Sequence, residues 1–188
     1  MALVLDGNGT MTVGNGDITG LTRGAIESTA IGAGAVLQVV QSSSASPASM
    51  SITTSGTLVA SGYTCSITPI SSSSKILTMF TSTFGSTSSN SGVAGVVQMY
   101  RSIGGGAYGY SGGAYNNYWN TIATYIAYQQ LCFSLVYLDS PATTSAITYQ
   151  PYFNVSCGTS GGNGILGGRN TDGLSYSSST ITLMEIAA

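Results

Sequence analysis

The stretch KILTMFTSTF, residues 75–84, carries the pattern that decides the fold class. Its side chains fall alternately on two faces, one with Ile76, Thr78, Phe80, Ser82 and Phe84, the other with Leu77, Met79, Thr81 and Thr83. A period of two is typical of a β-strand, because successive side chains of a strand point to opposite faces. Neither face is plainly polar, which predicts a sheet covered on both sides by a second sheet or a neighbouring subunit.

Short β-prone runs of the same kind recur along the chain, separated by Gly, Ser, Asn and Pro. We predict strands at residues 36–41, 49–54, 63–68, 75–84, 96–103, 121–128, 131–138, 146–155 and 180–186. No run has the periodicity of an amphipathic helix. Strands at these turn-separated intervals predict an all-β fold, a β-sandwich of jelly-roll type.

The uncharged stretch TIATYIAYQQLCFSLVYL, residues 121–138, has nearly the length of a membrane span. However, Gln129 and Gln130 lie in its middle, and its β-branched and aromatic residues favour two strands around a YQQ turn. We therefore predict no membrane insertion.

Charged residues make up only 5% of the 188-residue chain, and the formal net charge is -2. Ser, Thr, Gly and Asn replace them, so hydroxyls and amides hydrate the surface. So few charges give little attraction for nucleic acid or anionic lipid. The composition predicts one domain with a short appendage and no nucleic-acid partner.

The chain contains no histidine, the residue that most often serves as general base or metal ligand. Its six acids occur singly, although distance in sequence does not exclude a pair of carboxylates in space. No nucleophile has an activating partner in a visible motif, and no Gly-rich loop precedes a helix that would hold a phosphate. We therefore predict a protein that is not an enzyme and needs no cofactor.

The segment DGNGTMTVGNGD, residues 6–17, spaces its oxygen-bearing side chains in the manner of a calcium loop. Met11 stands where such a loop needs Gly, and Asp17 stands where it needs a bidentate Glu. We predict no metal site.

The three cysteines, Cys65, Cys132 and Cys157, match no metal-ligand spacing, and their odd number leaves at least one thiol unpaired. Each lies in apolar or β-prone surroundings. We expect all three to be reduced and buried.

The segment DSPATTS, residues 139–145, follows one β-prone run and precedes another. Asp139 or Ser140 can bond to nearby backbone, and Pro141 fixes a bend. We interpret the segment as a simple connection.

Residues 1–35 differ from the remainder because Gly and Thr dominate them. Their apolar pieces at 3–5, 11–13 and 18–21 are long enough to add an edge strand to a partner but too short to form a core. We expect an extended N-terminal arm over residues 1–35, followed by a β-sandwich knob over residues 36–188. The start lacks the features of a secretory signal, so we expect synthesis in a cytoplasm without export by that route.

Five phrases of the sequence carry a family resemblance: MALVLDGNGT at 1–10, TRGAIESTAIGAGAVLQVVQ at 22–41, YTCSITPISSSSKILTMFTSTFG at 63–85, YLDSPATTSAITYQPYF at 137–153 and SSSTITLMEIAA at 177–188. Together they resemble the short fibre-like or decoration proteins of tailed bacteriophages, especially phages of aquatic and marine bacteria. The resemblance implies a homotrimeric knob of jelly-roll or tumour-necrosis-factor-like shape with an N-terminal segment attached to the virion. Related sequences often carry a proline near Gly32, which this chain lacks, and that departure concerns the rigidity of the joint between arm and knob.

Two functions follow from this resemblance, and they differ in the place that the protein takes on the virion. In the first, the trimeric knob decorates or cements the capsid surface, with residues 1–35 bound to other virion proteins. In the second, the protein belongs to a tail fibre or tail tip and recognises host surface glycan. Both place it on the virion surface after synthesis in the host bacterial cytoplasm, and we favour the first.

The stretch SIGGGAYGYSGGAYNNYWN, residues 102–120, sets aromatic residues among glycines and asparagines. This composition is typical of adaptable binding loops, and rings flanked by amides suit sugar recognition. The candidate receptor or glycan contacts are Tyr108, Tyr110, Tyr115, Tyr118 and Trp119. The alternative is a Gly-rich hairpin whose rings pack between subunits, and we expect the stretch to be mainly structural.

Overall fold

The computed structural model describes residues 32–52, 58–86, 93–111, 121–124, 130–156, 162–169 and 175–188. Within these ranges the chain forms twelve β-strands and no helix. The strands are β1 (Val36–Ser44), β2 (Ala48–Ile52), β3 (Val59–Ala60), β4 (Cys65–Ile67), β5 (Lys75–Ser86), β6 (Val93–Ile103), β7 (Gly109–Tyr110), β8 (Thr121–Thr124), β9 (Gln130–Asp139), β10 (Ile147–Ser156), β11 (Gly162–Leu166) and β12 (Ser179–Ile186). The prediction of an all-β fold is confirmed.

The first sheet, sheet A, is built around β5. One edge of β5 pairs with β12 and then with β11, and its other edge pairs with β9. The outer edges of β12 and β11 pair in turn with β1 and β2. All these pairings are antiparallel, so sheet A has four rows of strands: β1 with β2, β12 with β11, β5, and β9.

The second sheet, sheet B, is built around β10 and β6, which pair along ten residues each. The free edge of β10 pairs with β4 and β3, and the free edge of β6 pairs with β7 and β8. These pairings are also antiparallel.

The core lies between the two sheets. Sheet A contributes Phe80 and Leu183 to it, and sheet B contributes Tyr149 and Phe153, all with no exposed surface. These side chains belong to one apolar cluster, which makes the described residues a β-sandwich.

The alternation of residues 75–84 between two faces is confirmed, and a cover over the second face stays a prediction. Ile76, Phe80 and Phe84 are completely buried in the core. Leu77 and Met79 lie on the opposite, outer face of sheet A and are half-buried. The second apolar face is thus turned away from the sandwich.

Each of the nine predicted strands coincides with an observed one, and the ends that fall within the described ranges differ by a few residues. Residues 53–54 and 125–128 of the predicted strands lie outside those ranges. The prediction missed β3, β7 and β11. Two of these contain only two residues each, and β11 begins with Gly-Asn-Gly, so none presents an alternating apolar run.

The apolar stretch 121–138 contains β8 and most of β9, in agreement with the prediction of two strands. No helix within the described ranges has the length and apolarity needed to cross a membrane.

Pairing between the first and last strands continues beyond β1. The Gly34 amide donates to the Ala187 carbonyl at 2.8 Å, and the Ala187 amide donates to the Ala35 carbonyl at 2.9 Å. Residues 34 and 35 of the predicted arm therefore pair with the end of the chain. Residues 1–31 lie outside the described ranges, so the arm itself stays a prediction.

Candidate functional site

Two of the five predicted contact residues, Tyr108 and Tyr110, lie in the described part of the chain. The other three, Tyr115, Tyr118 and Trp119, lie outside it. The β6–β7 hairpin places Tyr110 directly opposite Tyr100. The turn needs glycine, because Gly104 and Gly105 have φ angles of 59° and 78°, in the left-handed region.

The two described tyrosines belong to a larger group of rings on the outer face of sheet B. The centroid of Tyr100 lies 5.8 Å from that of Tyr110 and 4.3 Å from that of Tyr152. The ring of Tyr152 lies 6.0 Å from that of Tyr108. We call Tyr100, Tyr108, Tyr110 and Tyr152 the tyrosine cluster.

Sequence reasoning missed Tyr100 and Tyr152 because both occur inside predicted strands, at 96–103 and 146–155, and not in the Gly-rich stretch. Their position in the alternation of inward and outward residues along each strand reveals them. Val97 and Met99 of β6 are buried, which turns Tyr100 outward, and Phe153 of β10 is buried, which turns Tyr152 outward. Pairing of β6 with β10 then brings the two rings together.

The immediate surroundings of the tyrosine cluster carry amides and hydroxyls. Gln98 lies opposite Tyr152, and Gln150, which is 8% exposed, lies opposite Tyr100. Farther along the same face the Ser66 and Thr148 hydroxyls share a hydrogen bond of 2.9 Å. Partial burial raises the pKa of Tyr108, and Tyr152 adds to this effect, so its phenol stays neutral near pH 7.

Asp139 and Arg101 form an ion pair between the two sheets. The Asp139 carboxylate is 2% exposed and also accepts a hydrogen bond of 2.7 Å from the Tyr149 hydroxyl. Burial raises the pKa of Tyr149 far above its ordinary value, and the negative charge of Asp139 raises it further. Burial lowers the pKa of Arg101, but the hydrogen bond and charge of Asp139 outweigh burial and leave that pKa raised.

These contacts refine the interpretation of residues 139–145 as a simple connection. The Asp139 side chain does not serve the turn, because both of its oxygens bind groups on sheet B. Tyr149 is a fully buried, neutral donor and Arg101 a permanent cation, so this group has no base free to accept a substrate proton. It holds β9 against β6 and β10.

Glu185 is the other carboxylate in the described residues, and it is completely buried. It accepts hydrogen bonds from the Gln38 amide at 2.6 Å and from the Ile70 and Ser71 backbone amides at 2.8 and 3.3 Å. These contacts fix the β4–β5 turn against β12. Glu185 therefore has a structural role as well.

The cysteine prediction is wrong at one position. Cys65 is buried, and burial raises the pKa of its thiol, with a smaller opposing effect from a backbone hydrogen bond at Ser66. Cys132 is exposed, because the phase of β9 turns it to the outer face of sheet A. Both thiols are free, and Cys157 lies outside the described residues.

A cleft of about 190 Å³ opens at the sandwich edge beside β1. Its lining is rich in hydroxyl groups and consists of Ser42, Ser43, Ser44, Gly62, Tyr63, Thr64, Ser179 and Ile181. Burial raises the pKa of Tyr63, against smaller opposing hydrogen bonds from Ser179 and Ala48. The cleft thus has no group that ionises near neutral pH.

Among the described residues, no three metal-ligating side chains gather in one place. The calcium-loop-like segment at residues 6–17 lies outside them.

No family model and no curated protein matches the chain. Solved structures do match, among them two of one virus. One is that of infectious bursal disease virus, Gx strain, with 12% identity and a TM-score of 0.39. The other is the VP2 subviral particle of the same virus, with 14% identity and a TM-score of 0.36.

Each match covers 80% of this chain, which spans only 38% of the length of the viral chains. The identities and TM-scores are too low to transfer a fold or a function to this chain.

Proposed function

We propose that this protein is a non-enzymatic virion structural protein of a tailed bacteriophage. Three copies form a jelly-roll knob that decorates or cements the capsid surface, and residues 1–35 of each copy attach it to other virion proteins. The observation that carries this proposal is an exposed apolar surface on sheet A, because such a surface on a chain so poor in charge needs a cover.

The apolar surface extends across all four rows of sheet A. One line of cross-strand partners runs from Val39 through Met184 and Leu77 to Leu138. In the next line Val136 lies opposite Met79. These residues form what we call the apolar face: Val39, Leu77, Met79, Val136, Leu138 and Met184.

Three members of the apolar face are strongly exposed in the single chain, Val39 by 55%, Val136 by 58% and Leu138 by 45%. Burial of one such side chain stabilises a contact by about 1–2 kcal/mol, because removal of apolar surface from water contributes roughly 25 cal/mol per Å². A symmetric assembly repeats this gain in every copy. The resemblance to trimeric knobs makes a second and third copy of the chain the natural cover.

The other half of this outer face is polar. Proceeding along the strands, the partners become Ser43, Thr180, Thr81 and Ser134, all with hydroxyl side chains. The apolar residues are thus concentrated toward one end of the strands. This asymmetry favours copies that meet at that end.

The strand order supports the jelly-roll part of the proposal. The chain passes back and forth between the two sheets, and its first and last rows, β1 and β12, lie side by side in sheet A. Counted along the chain, sheet A takes its rows in the order first, last, third and sixth, and sheet B takes the second, seventh, fourth and fifth. Two Greek keys wound together produce this order.

The buried charges support a non-enzymatic role. Both described carboxylates, Asp139 and Glu185, are enclosed and hydrogen-bonded within the sandwich. A general acid or base must reach a substrate proton, and neither group is accessible.

The proposal is tested by a charge placed in the apolar face. Val136→Glu should convert the sedimenting species of the purified protein from trimer to monomer without unfolding it, because three carboxylates would be desolvated at the contact. The matched control is Ser66→Glu, an exposed outward position on sheet B. A wild-type protein that sediments as a stable monomer would contradict the proposal.

The second candidate function is a tail-fibre or tail-tip protein that recognises host surface glycan. The outward position of the tyrosine cluster favours it. The two candidates differ in where the arm binds, so cross-linking of residues 1–35 in purified particles, followed by mass spectrometry, distinguishes a capsid partner from a tail partner.

A further inference from the structure

We propose that the tyrosine cluster on the outer face of sheet B is a binding site for an extended neutral polysaccharide, over two or three sugar units. This inference specifies the ligand class of the second candidate function. It rests on that function only for the assignment of the polysaccharide to the host surface. Tyr100 and Tyr152 on the strands form its centre, and Tyr108 and Tyr110 extend it.

The first support is the gathering of rings on an outward face. Four of the twelve tyrosines in the chain occupy this one region, each in contact with another ring. On the same face at one end of the cluster lie the hydroxyl side chains of Ser66 and Thr148, whose type matches the composition of the chain as a whole. The need for a hydrated surface therefore does not explain why tyrosine occupies these positions.

The extent of the cluster fits an oligosaccharide better than a single sugar. Its members come from β7, β6, β10 and the β6–β7 turn, and neighbouring strands lie about 4.8 Å apart. Three strands therefore span about 10 Å across the sheet, which is roughly the length of two linked hexose units.

The chemistry of the face indicates a neutral ligand. Phenol rings supply apolar contact surface, and phenol hydroxyls together with the Gln98 amide supply hydrogen bonds. Arg101, the cation on β6, points inward to Asp139 and is neutralised there. An anionic glycan would thus find no compensating charge on the described part of this face.

The position of the cluster is compatible with the trimer proposed above. The apolar face belongs to sheet A, and the tyrosine cluster lies on the outer surface of the other sheet. Contacts between copies through sheet A leave sheet B turned outward. Contacts of this kind therefore do not cover the site.

The test uses the full-length protein and affinity electrophoresis in gels that contain one polysaccharide each. Suitable probes are a soluble α-1,4-glucan, a soluble β-1,4-glucan and an α-mannan, with alginate as the anionic comparison. We expect retardation by at least one neutral polymer and none by alginate. Tyr152→Ala and Tyr108→Ala should each weaken that binding about tenfold, the loss expected for one aromatic contact.

Two further variants separate a binding role from a structural one. Tyr176→Ala removes a tyrosine that is 52% exposed and lies outside the cluster, and it should leave binding unchanged. Tyr152→Phe keeps the ring and should retain most of the affinity. Tyr108 lies in the turn after β6, so its variant reports on binding even if Tyr152→Ala fails to fold.

The proposal is overturned if no neutral polymer retards the wild type, or if Tyr108→Ala and Tyr176→Ala bind alike. Virion incorporation of the same variants is scored separately. Normal incorporation of a variant that has lost sugar binding supports both proposals, whereas failure of the wild type to bind sugar leaves the structural function untouched.

Discussion

Asp139 and Arg101 show at the scale of single residues how a chain with so few charges uses them. Removal of one partner from a buried ion pair leaves the other charge buried without compensation. This lowers the stability of a protein by about 3–5 kcal/mol. We therefore expect Arg101→Met to lower the free energy of unfolding by about 3 kcal/mol, since among the described residues Asp139 would keep only Tyr149 as a partner. Urea titration of the purified protein measures this change.

The double variant Arg101→Met with Asp139→Asn provides the decisive comparison. The neutral amide still accepts the Tyr149 hydrogen bond, so the double variant should be more stable than Arg101→Met alone. Lys75→Met, at an exposed cation, should change stability by less than about 0.5 kcal/mol. A double variant less stable than the single one would contradict the assigned role of the ion pair.

Ionisation of the Tyr149 phenol determines how the free energy of unfolding changes at alkaline pH. Burial, followed by the charge of Asp139, raises its pKa in the folded protein, whereas in the unfolded chain the phenol ionises near its ordinary value of 10.0. The stabilisation is complete below pH 10.0, where both states hold the proton, and declines as pH rises toward the raised native pKa. The slope is about 1.4 kcal/mol per pH unit for this one group.

Urea titrations at a series of pH values above 9 measure this slope. Tyr149→Phe cannot ionise, so its stability should fall less steeply with pH than that of the wild type. Equal slopes for the two proteins would show that the decline originates elsewhere.

At the scale of elements, Gly85 marks the place where β5 passes under another segment. A Cβ atom at this position would lie 2.3 Å from the Gly168 carbonyl oxygen and 2.6 Å from the Arg169 Cα. Both are backbone atoms and cannot rotate aside. We expect Gly85→Ala to destabilise the protein by about 1–3 kcal/mol, the cost typical of overpacking.

Gly109 in β7 offers the matched control, because a Cβ atom there would have no neighbour within 4 Å. Gly109→Ala should be neutral or slightly stabilising, since it reduces the freedom of the unfolded chain. Thermal unfolding of both variants compares them. Equal midpoints would mean that the 167–169 segment yields to the added methyl group.

The elements also show which features of the fold can be predicted from sequence. The long strands were predictable because side chains that alternate between two faces over several residues, as in β5 and β12, indicate a strand without knowledge of its neighbours. The strands β3 and β7 are two residues long and owe their state to a partner strand. The sequence of two residues does not reveal which distant strand they pair with, so these strands could not be predicted.

The candidate site was only partly predictable for the same reason. Tyr108 and Tyr110 lie in a Gly-rich stretch whose composition is visible locally. Tyr100 and Tyr152 are far apart in sequence, and only the register of β6 against β10 brings them together. The Asp139–Arg101 pair depends equally on contact between the sheets. Sites assembled from pairing between distant strands require the fold to be known.

At the scale of the whole molecule, the boundary between arm and knob leads to the last prediction. The amide of Gly34 and the carbonyl of Ala35 bond to Ala187 at the end of the chain. A truncation that removes residues 1–30 preserves both bonds, and one that removes residues 1–35 loses both. Each backbone hydrogen bond contributes about 1 kcal/mol net, so the longer truncation should be less stable by about 2 kcal/mol.

Both truncations should nevertheless fold and self-associate, because the core between the sheets and the apolar face of sheet A lie entirely within residues 36–188. Neither should join virions when supplied in a complementation experiment with phage that lack the protein, whereas the full-length chain should. The shorter truncation is the informative one, since its stability should equal that of the full-length chain and its absence from particles then reflects lost attachment alone. Incorporation of this truncated knob at wild-type levels would place the attachment on the β-sandwich itself, and unfolding on removal of residues 1–30 would mean that the arm contributes to the core.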